Sequence, residues 1–167
     1  ADVEVWKMAR LRQAFQNFEN NSTSEQKNIM QSWSSNSAFW LDDYATFASM
    51  KIISGGLSWT EWPEKWKLRE SAEIQLFCEK HSAEAAFHKF VQWQFFKQWS
   101  SLRKYANQRG IKIIGDLPIF VAYDSTEVWA NPELFELDEN QQLSAVAGVP
   151  PDFFSETGQH WGNPLYR

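Results

Sequence analysis

A helical stripe that runs directly into a β-rich segment constrains this chain more than any other feature. Over 82–108 the residues Phe87, Phe90, Val91, Phe95, Trp99, Leu102 and Ala106 recur at three- and four-residue steps, the period of one helix face. Gly110 follows, placed to cap the helix. Then Ile111-Lys-Ile-Ile114 leads into Gly115-Asp116-Leu117-Pro118. Proline donates no ladder hydrogen bond, so a buried strand is expected over 111–114, ending near Asp116. A helix, a strand closing on a carboxylate and then a long loop is how one unit of a parallel α/β protein reads. In a (β/α)8 barrel the chemistry sits at the C-terminal ends of the strands, and Asp116 is expected to face it.

Most of the remaining chain reads as helix. Val3, Trp6, Met8, Leu11, Phe15 and Phe18 predict an amphipathic helix over 3–19. After the polar break Asn20-Asn-Ser-Thr-Ser, Thr23 or Ser24 can cap a second helix through Ile29, Met30 and Trp33. A third is expected over 38–53, stopped by Gly55-Gly56, and a fourth over 69–80. Downstream, Asp124-Ser125 can cap a short helix over 126–130, and 135–138 can pair with 143–146 around Asn140. The stretch 148–167, with Pro150, Pro151, Gly158, Gly162 and Pro164, is expected to be irregular. The organisation predicted is a helical region over 1–109, followed over 110–167 by a barrel strand and its loops.

Charge and composition exclude several classes of function. Sixteen basic and twenty-one acidic residues are spread along the chain without a basic cluster, so nucleic acid is not expected as a partner. Nor is a membrane, because no apolar run approaches the roughly 20 residues that a span requires. Ala1-Asp-Val-Glu does not resemble a signal peptide. With Cys78 as the single cysteine, an internal disulfide and a cysteine-based zinc site are ruled out, and a reducing cytoplasm is the expected compartment. His81, His88 and His160 lack ligand spacing, so no metal is expected. A start at Ala1 and a stop at Arg167, directly after an aromatic run, lead to the expectation that the chain is a piece of a longer protein.

Aromatic residues make up 16% of the chain, including ten tryptophans. Their flat apolar faces and polar edges suit either a helical core or the faces of pyranose rings, and composition leaves both open. Trp59, Trp62 and Trp66 are a sugar platform or helix packing; His160 is a proton-transfer group or a structural one. Within 148–166 the aromatics Phe153, Phe154, Trp161 and Tyr166 stand in a loop, although exposing one forfeits about 1.5–3 kcal/mol of burial. They imply either a surface that something covers or a loop packed on its own scaffold. Asp116 is a site carboxylate or a turn cap. Asp152 and Glu156 lie in the same loop, where no carboxylate separation is fixed that would make them a glycosidase pair.

Several stretches together resemble the 4-α-glucanotransferases of the amylomaltase, or disproportionating enzyme, family. They are Trp40-Leu-Asp-Asp-Tyr-Ala-Thr-Phe, Gln92-Trp-Gln-Phe-Phe-Lys-Gln-Trp99, Gly110-Ile-Lys-Ile-Ile-Gly-Asp-Leu-Pro-Ile-Phe-Val-Ala-Tyr-Asp-Ser125, Val128-Trp-Ala-Asn-Pro-Glu-Leu-Phe135 and Val146-Ala-Gly-Val-Pro-Pro-Asp, with Trp161-Gly-Asn-Pro-Leu-Tyr-Arg167. The resemblance implies an α/β fold: part of a (β/α)8 TIM barrel, mostly helical in this segment, with an inserted helical subdomain and long active-site loops. It implies a retaining transfer of an α-1,4-glucan segment to a new 4-hydroxyl, on maltooligosaccharides, amylose or glycogen-type polymers. By the same resemblance the nucleophile and the acid/base lie beyond Arg167. No catalytic residue is then expected in this chain, and Asp116, Asp152, Phe153, Phe154 and Trp161 are substrate-binding. Phe153 departs from the tyrosine often found in that family. The compartment implied is the cytoplasm, or a plastid in a plant or alga. A non-catalytic carbohydrate-binding module is the alternative reading.

Overall fold

The computed structural model describes residues 2–167. They divide into two compact units, each discontinuous in sequence: 1–49 with 77–115, and 50–76 with 116–167. Among the described residues no helix is long and apolar enough to cross a membrane.

The first unit is helical. Helix α1 (Asp2–Asn21) lays Phe15 and Phe18 against Phe87, Phe90 and Trp93 of α6 (Ser82–Asn107), with ring centroids 5.2–5.8 Å apart in tilted or edge geometry. Such ring pairs add about 0.5–1.5 kcal/mol each beyond the area that they bury. Helix α2 (Ser24–Asn36) begins at Thr23 with a capping box: the Thr23 hydroxyl accepts from the Gln26 N–H at 3.2 Å, and the Gln26 amide accepts from the Thr23 N–H at 2.9 Å. Trp33 of α2 meets Trp40 of α3 (Ala38–Ile53) and Phe96 of α6. Leu41, Ala45, Phe87 and Phe90 are the buried centre. Gly110, at a φ of 74°, lets the chain leave α6, and the Ile111 N–H reaches back to the Ala106 carbonyl at 3.1 Å.

The second unit is built on tryptophan. The stretch 57–69 folds into a 3-10 turn (Trp59–Glu61) and a one-turn helix α4 (Glu64–Lys67), followed by α5 (Ser71–Lys80). Trp59, Trp62 and Trp129 are buried, the last on α7 (Thr126–Ala130). Each indole N–H finds an oxygen: Trp59 donates to the Tyr123 carbonyl at 2.8 Å, Trp129 to the Trp66 carbonyl at 2.9 Å, and Trp62 to the Ser54 hydroxyl at 3.1 Å. The tryptophan cluster is core. A sugar platform there would need open ring faces; Trp59 and Trp62 are buried, and half-buried Trp66 stands edge-on to Trp62. Asp124 does not cap α7 as expected. Its carboxylate is drawn to the Lys51 ammonium at 2.6 Å and the Trp59 N–H at 3.2 Å, while Ser125 occupies the cap position without a side-chain bond.

Two expectations are corrected. Residues 111–118 form no strand. A central parallel strand takes its hydrogen bonds from neighbours far away in sequence, and none pairs with this segment among the described residues. The stretch expected to be irregular instead contains the sheet: β1 (Val146–Val149) and β2 (Gln159–Pro164) pair antiparallel, with a bulge between Val146 and Gly148. The predicted pairing around Asn140 exists in minimal form as a Leu137–Leu143 bridge, and Phe135 bridges Tyr166 beyond β2.

Candidate functional site

The aromatic hairpin tip lies between β1 and β2 and is held by Asp152. Its Oδ1 accepts the N–H groups of Phe154 at 2.9 Å and Ser155 at 2.8 Å, while the Asp152 N–H donates to the Ser155 carbonyl at 2.9 Å. The Ser155 hydroxyl closes the turn by donating to the Gly158 carbonyl at 2.7 Å. The sequence dictates this locally, since an aspartate followed by turn residues bonds its own backbone two and three positions on. The hairpin closes only because two residues lack a Cβ. A Cβ on Gly158, whose φ is 72°, would stand 2.4 Å from the Val149 carbonyl oxygen, and one on Gly148 would stand 2.5 Å from that of Gln159.

On this turn Phe153 and Phe154 project into solvent, 96% and 89% exposed, and meet only edge to face, with centroids 5.5 Å apart. Trp161, on β2, is 48% exposed; its indole N–H donates to Gln159 Oε1 at 3.0 Å and its ring meets Phe120 at 6.0 Å. Phe120 in turn stacks on Tyr166 with their planes 9° apart. A second tie joins the same two segments: Asn163 Nδ2 donates to the Val121 carbonyl at 2.8 Å. The chain following Asp116 is thereby fastened to the base of the aromatic hairpin. Asp116 itself is exposed, and its Oδ1 accepts the Leu117 N–H at 2.9 Å. Phe120 and Asn163 are the site residues that sequence reasoning passed over. No periodic signal marks them, because Gly162 between Trp161 and Asn163 takes a φ of 75° at the register break of the hairpin.

Glu156 and His160 are exposed. Tyr123 donates its hydroxyl to the Gln141 carbonyl, and burial, with the Asp138 carboxylate nearby, pushes the phenol up to about 12. Among the described residues no group of three or more His, Cys, Asp or Glu side chains is placed to hold a metal ion.

A helical unit and an aromatic-tipped antiparallel hairpin of this kind recur in a solved α-glucan enzyme structure. The amylomaltase from Streptococcus agalactiae in complex with acarbose matches with a TM-score of 0.87 at 39% identity, over 95% of this chain and 32% of that one. The family model described as 4-alpha-glucanotransferase matches residues 1–167, and the chain belongs to that family. Among its relatives are the 4-alpha-glucanotransferases of Thermus thermophilus, 49% identical over 98% of this chain, and of Aquifex aeolicus, 45% identical over 99%. The chloroplastic/amyloplastic 4-alpha-glucanotransferase of Oryza sativa is 46% identical over 76% of the chain. The chain spans about a third of the length of the Thermus and Aquifex relatives, 33% of each.

Proposed function

We propose that this chain is the glucan-facing wall and lid of a 4-α-glucanotransferase built on a (β/α)8 barrel. In this reading the parent enzyme transfers a segment of an α-1,4-glucan to the 4-hydroxyl of glucose or of another α-1,4-glucan by a retaining double displacement. The carboxylates that break the bond belong to parts of the barrel beyond Arg167. Asp116 takes sugar hydroxyls, Asp152 orders the lid, and Phe153, Phe154 and Trp161 offer faces to pyranose rings. The reaction needs no metal or organic cofactor. The compartment is the cytoplasm, or a plastid where the source is a plant or alga.

The observation that carries this reading is the exposure of Phe153 and Phe154 on a turn that Asp152 makes rigid. Leaving two such rings in water forfeits about 1.5–3 kcal/mol apiece, and the tip is nonetheless pinned in place. A glucan beneath those rings buries them and supplies the apolar face that they lack. The relatives named 4-alpha-glucanotransferase support the substrate class, as does the acarbose in the amylomaltase complex.

The lid also bears on the fate of the glycosyl-enzyme intermediate. Aromatic cover excludes water and holds an acceptor sugar by stacking, so transfer outruns hydrolysis. Replacing Phe154 or Trp161 by Ala in the full-length enzyme is expected to raise the ratio of hydrolysis to transfer, read from released reducing sugar against disproportionation products. An unchanged ratio for both variants would overturn the lid reading.

A further inference from the structure

We infer that Asn163 is a positioning residue for the transfer reaction, one that sets the lid hairpin over the segment carrying Asp116. This rests on the lid reading above and adds to it the part that holds the lid in register.

The hairpin bearing Phe153 and Phe154 has only β1 and β2 as its ladder, and a two-stranded antiparallel pair is marginal by itself. Something outside the ladder must fix where its tip stands. Trp161 and Asn163 flank Gly162, whose φ of 75° interrupts the pleat at the register break of the hairpin, and they meet consecutive residues of the neighbouring segment, Phe120 and Val121. The ring contact between Trp161 and Phe120, at 6.0 Å, is non-directional and tolerates sliding. The amide bond from Asn163 Nδ2 to the Val121 carbonyl, 2.8 Å long and part-buried, does not. It is a directional tie across the unpaired edge of β2, and a shift by one residue would leave a part-buried donor and acceptor without partners. Pro164, next in sequence, is fully buried and pairs with Val146, so the base of the hairpin is fixed on both sides of β2. Asn163 touches neither tip aromatic. Its effect on a sugar passes through the placement of Trp161, Phe153 and Phe154 relative to Asp116.

The test uses the full-length enzyme and two substitutions. Asn163→Asp keeps the side chain's size and removes the donor; Asn163→Ala removes the tie without placing a carboxylate opposite a carbonyl. Misplacing a substrate-holding element by about 1 Å costs up to roughly 100-fold, and for a lid that keeps its other anchors the expected loss in the transfer-to-hydrolysis ratio is about three- to tenfold. The KM for a short acceptor such as maltose should rise in both variants. Thermal midpoints are measured alongside. If they fall while the ratio and the acceptor KM stay as in the parent enzyme, and Phe154→Ala still changes the ratio, Asn163 only stabilises the fold and the inference is overturned. If Phe154→Ala and Trp161→Ala also leave the ratio unchanged, the lid reading fails with it.

Discussion

Glu84 faces Arg12 on one side and His88 on the other. Arg12 grips it with two guanidinium nitrogens, one at 2.8 Å, and lies over the Phe87 ring at 4.0 Å. The Glu84 carboxyl is held below its usual range, first by the hydrogen bonds from Arg12. His88 is buried, with Nε2 3.2 Å from Glu84 but out of hydrogen-bonding line, and Tyr44 stands edge-on to its ring. Burial keeps it neutral by pushing its pKa below 6.5, against the pull of Glu84. Both shifts act in one direction on stability. The unfolded chain protonates His88 near its ordinary 6.5 while the folded chain does not, so stability declines as pH falls below that value. The Glu84 contribution is present above its ordinary 4.5 and is lost as pH falls through its lower folded value. Urea midpoints across pH should therefore fall in two stages, and His88→Phe should remove the upper one.

Two elements of the second unit carry predictions. In the tryptophan core, Trp129 is buried, donates to the Trp66 carbonyl and lies under the Arg69 guanidinium at 4.2 Å. Trp129→Ala leaves a large cavity and a carbonyl without its donor, and a loss of about 3–5 kcal/mol is expected in chemical denaturation. In the β1–β2 hairpin, Gly158→Ala forces a Cβ against the Val149 carbonyl at a positive φ, a strain of about 1–3 kcal/mol. That strain is local. It should appear as faster amide exchange over 146–164 and as a higher share of hydrolysis, with little change in the exchange of α6.

At the scale of the whole molecule, the segment expected to be a barrel strand, with the residues that follow it, is an exposed apolar stretch. Ile114 is 94% and Leu117 85% exposed, with Ile111 and Ile119 also open. A run of this kind without ladder partners is a template for pairing with another chain. The isolated 167-residue chain is therefore expected to self-associate, as measured by sedimentation, and Ile114→Lys with Leu117→Lys should reduce that association. A carbohydrate-binding module that stands alone would remain monomeric and bind amylose.

Helices α1, α2, α3 and α6 were legible in the sequence because their signals are local: a 3.6-residue apolar period, the Thr23–Gln26 capping box, and glycines at 55, 56 and 110 where the chain must turn left-handed. The family was legible too, in motifs from Trp40 to Arg167. Long-range pairing was not. Whether 111–118 forms a ladder depends on strands distant in sequence, and the β1–β2 pairing depends on Gly148 and Gly158 meeting opposing carbonyls. Neither is written in periodicity. The candidate site divides in the same way. The sequence alone determined that Asp152, with Phe153 and Phe154 after it, stands in a turn. Only the tertiary structure decided that Trp59, Trp62 and Trp129 are core, and that Phe120 and Asn163 fasten the aromatic hairpin to the Asp116 segment. The physical reason is that a side chain's partners across forty residues are chosen by packing, and packing has no period.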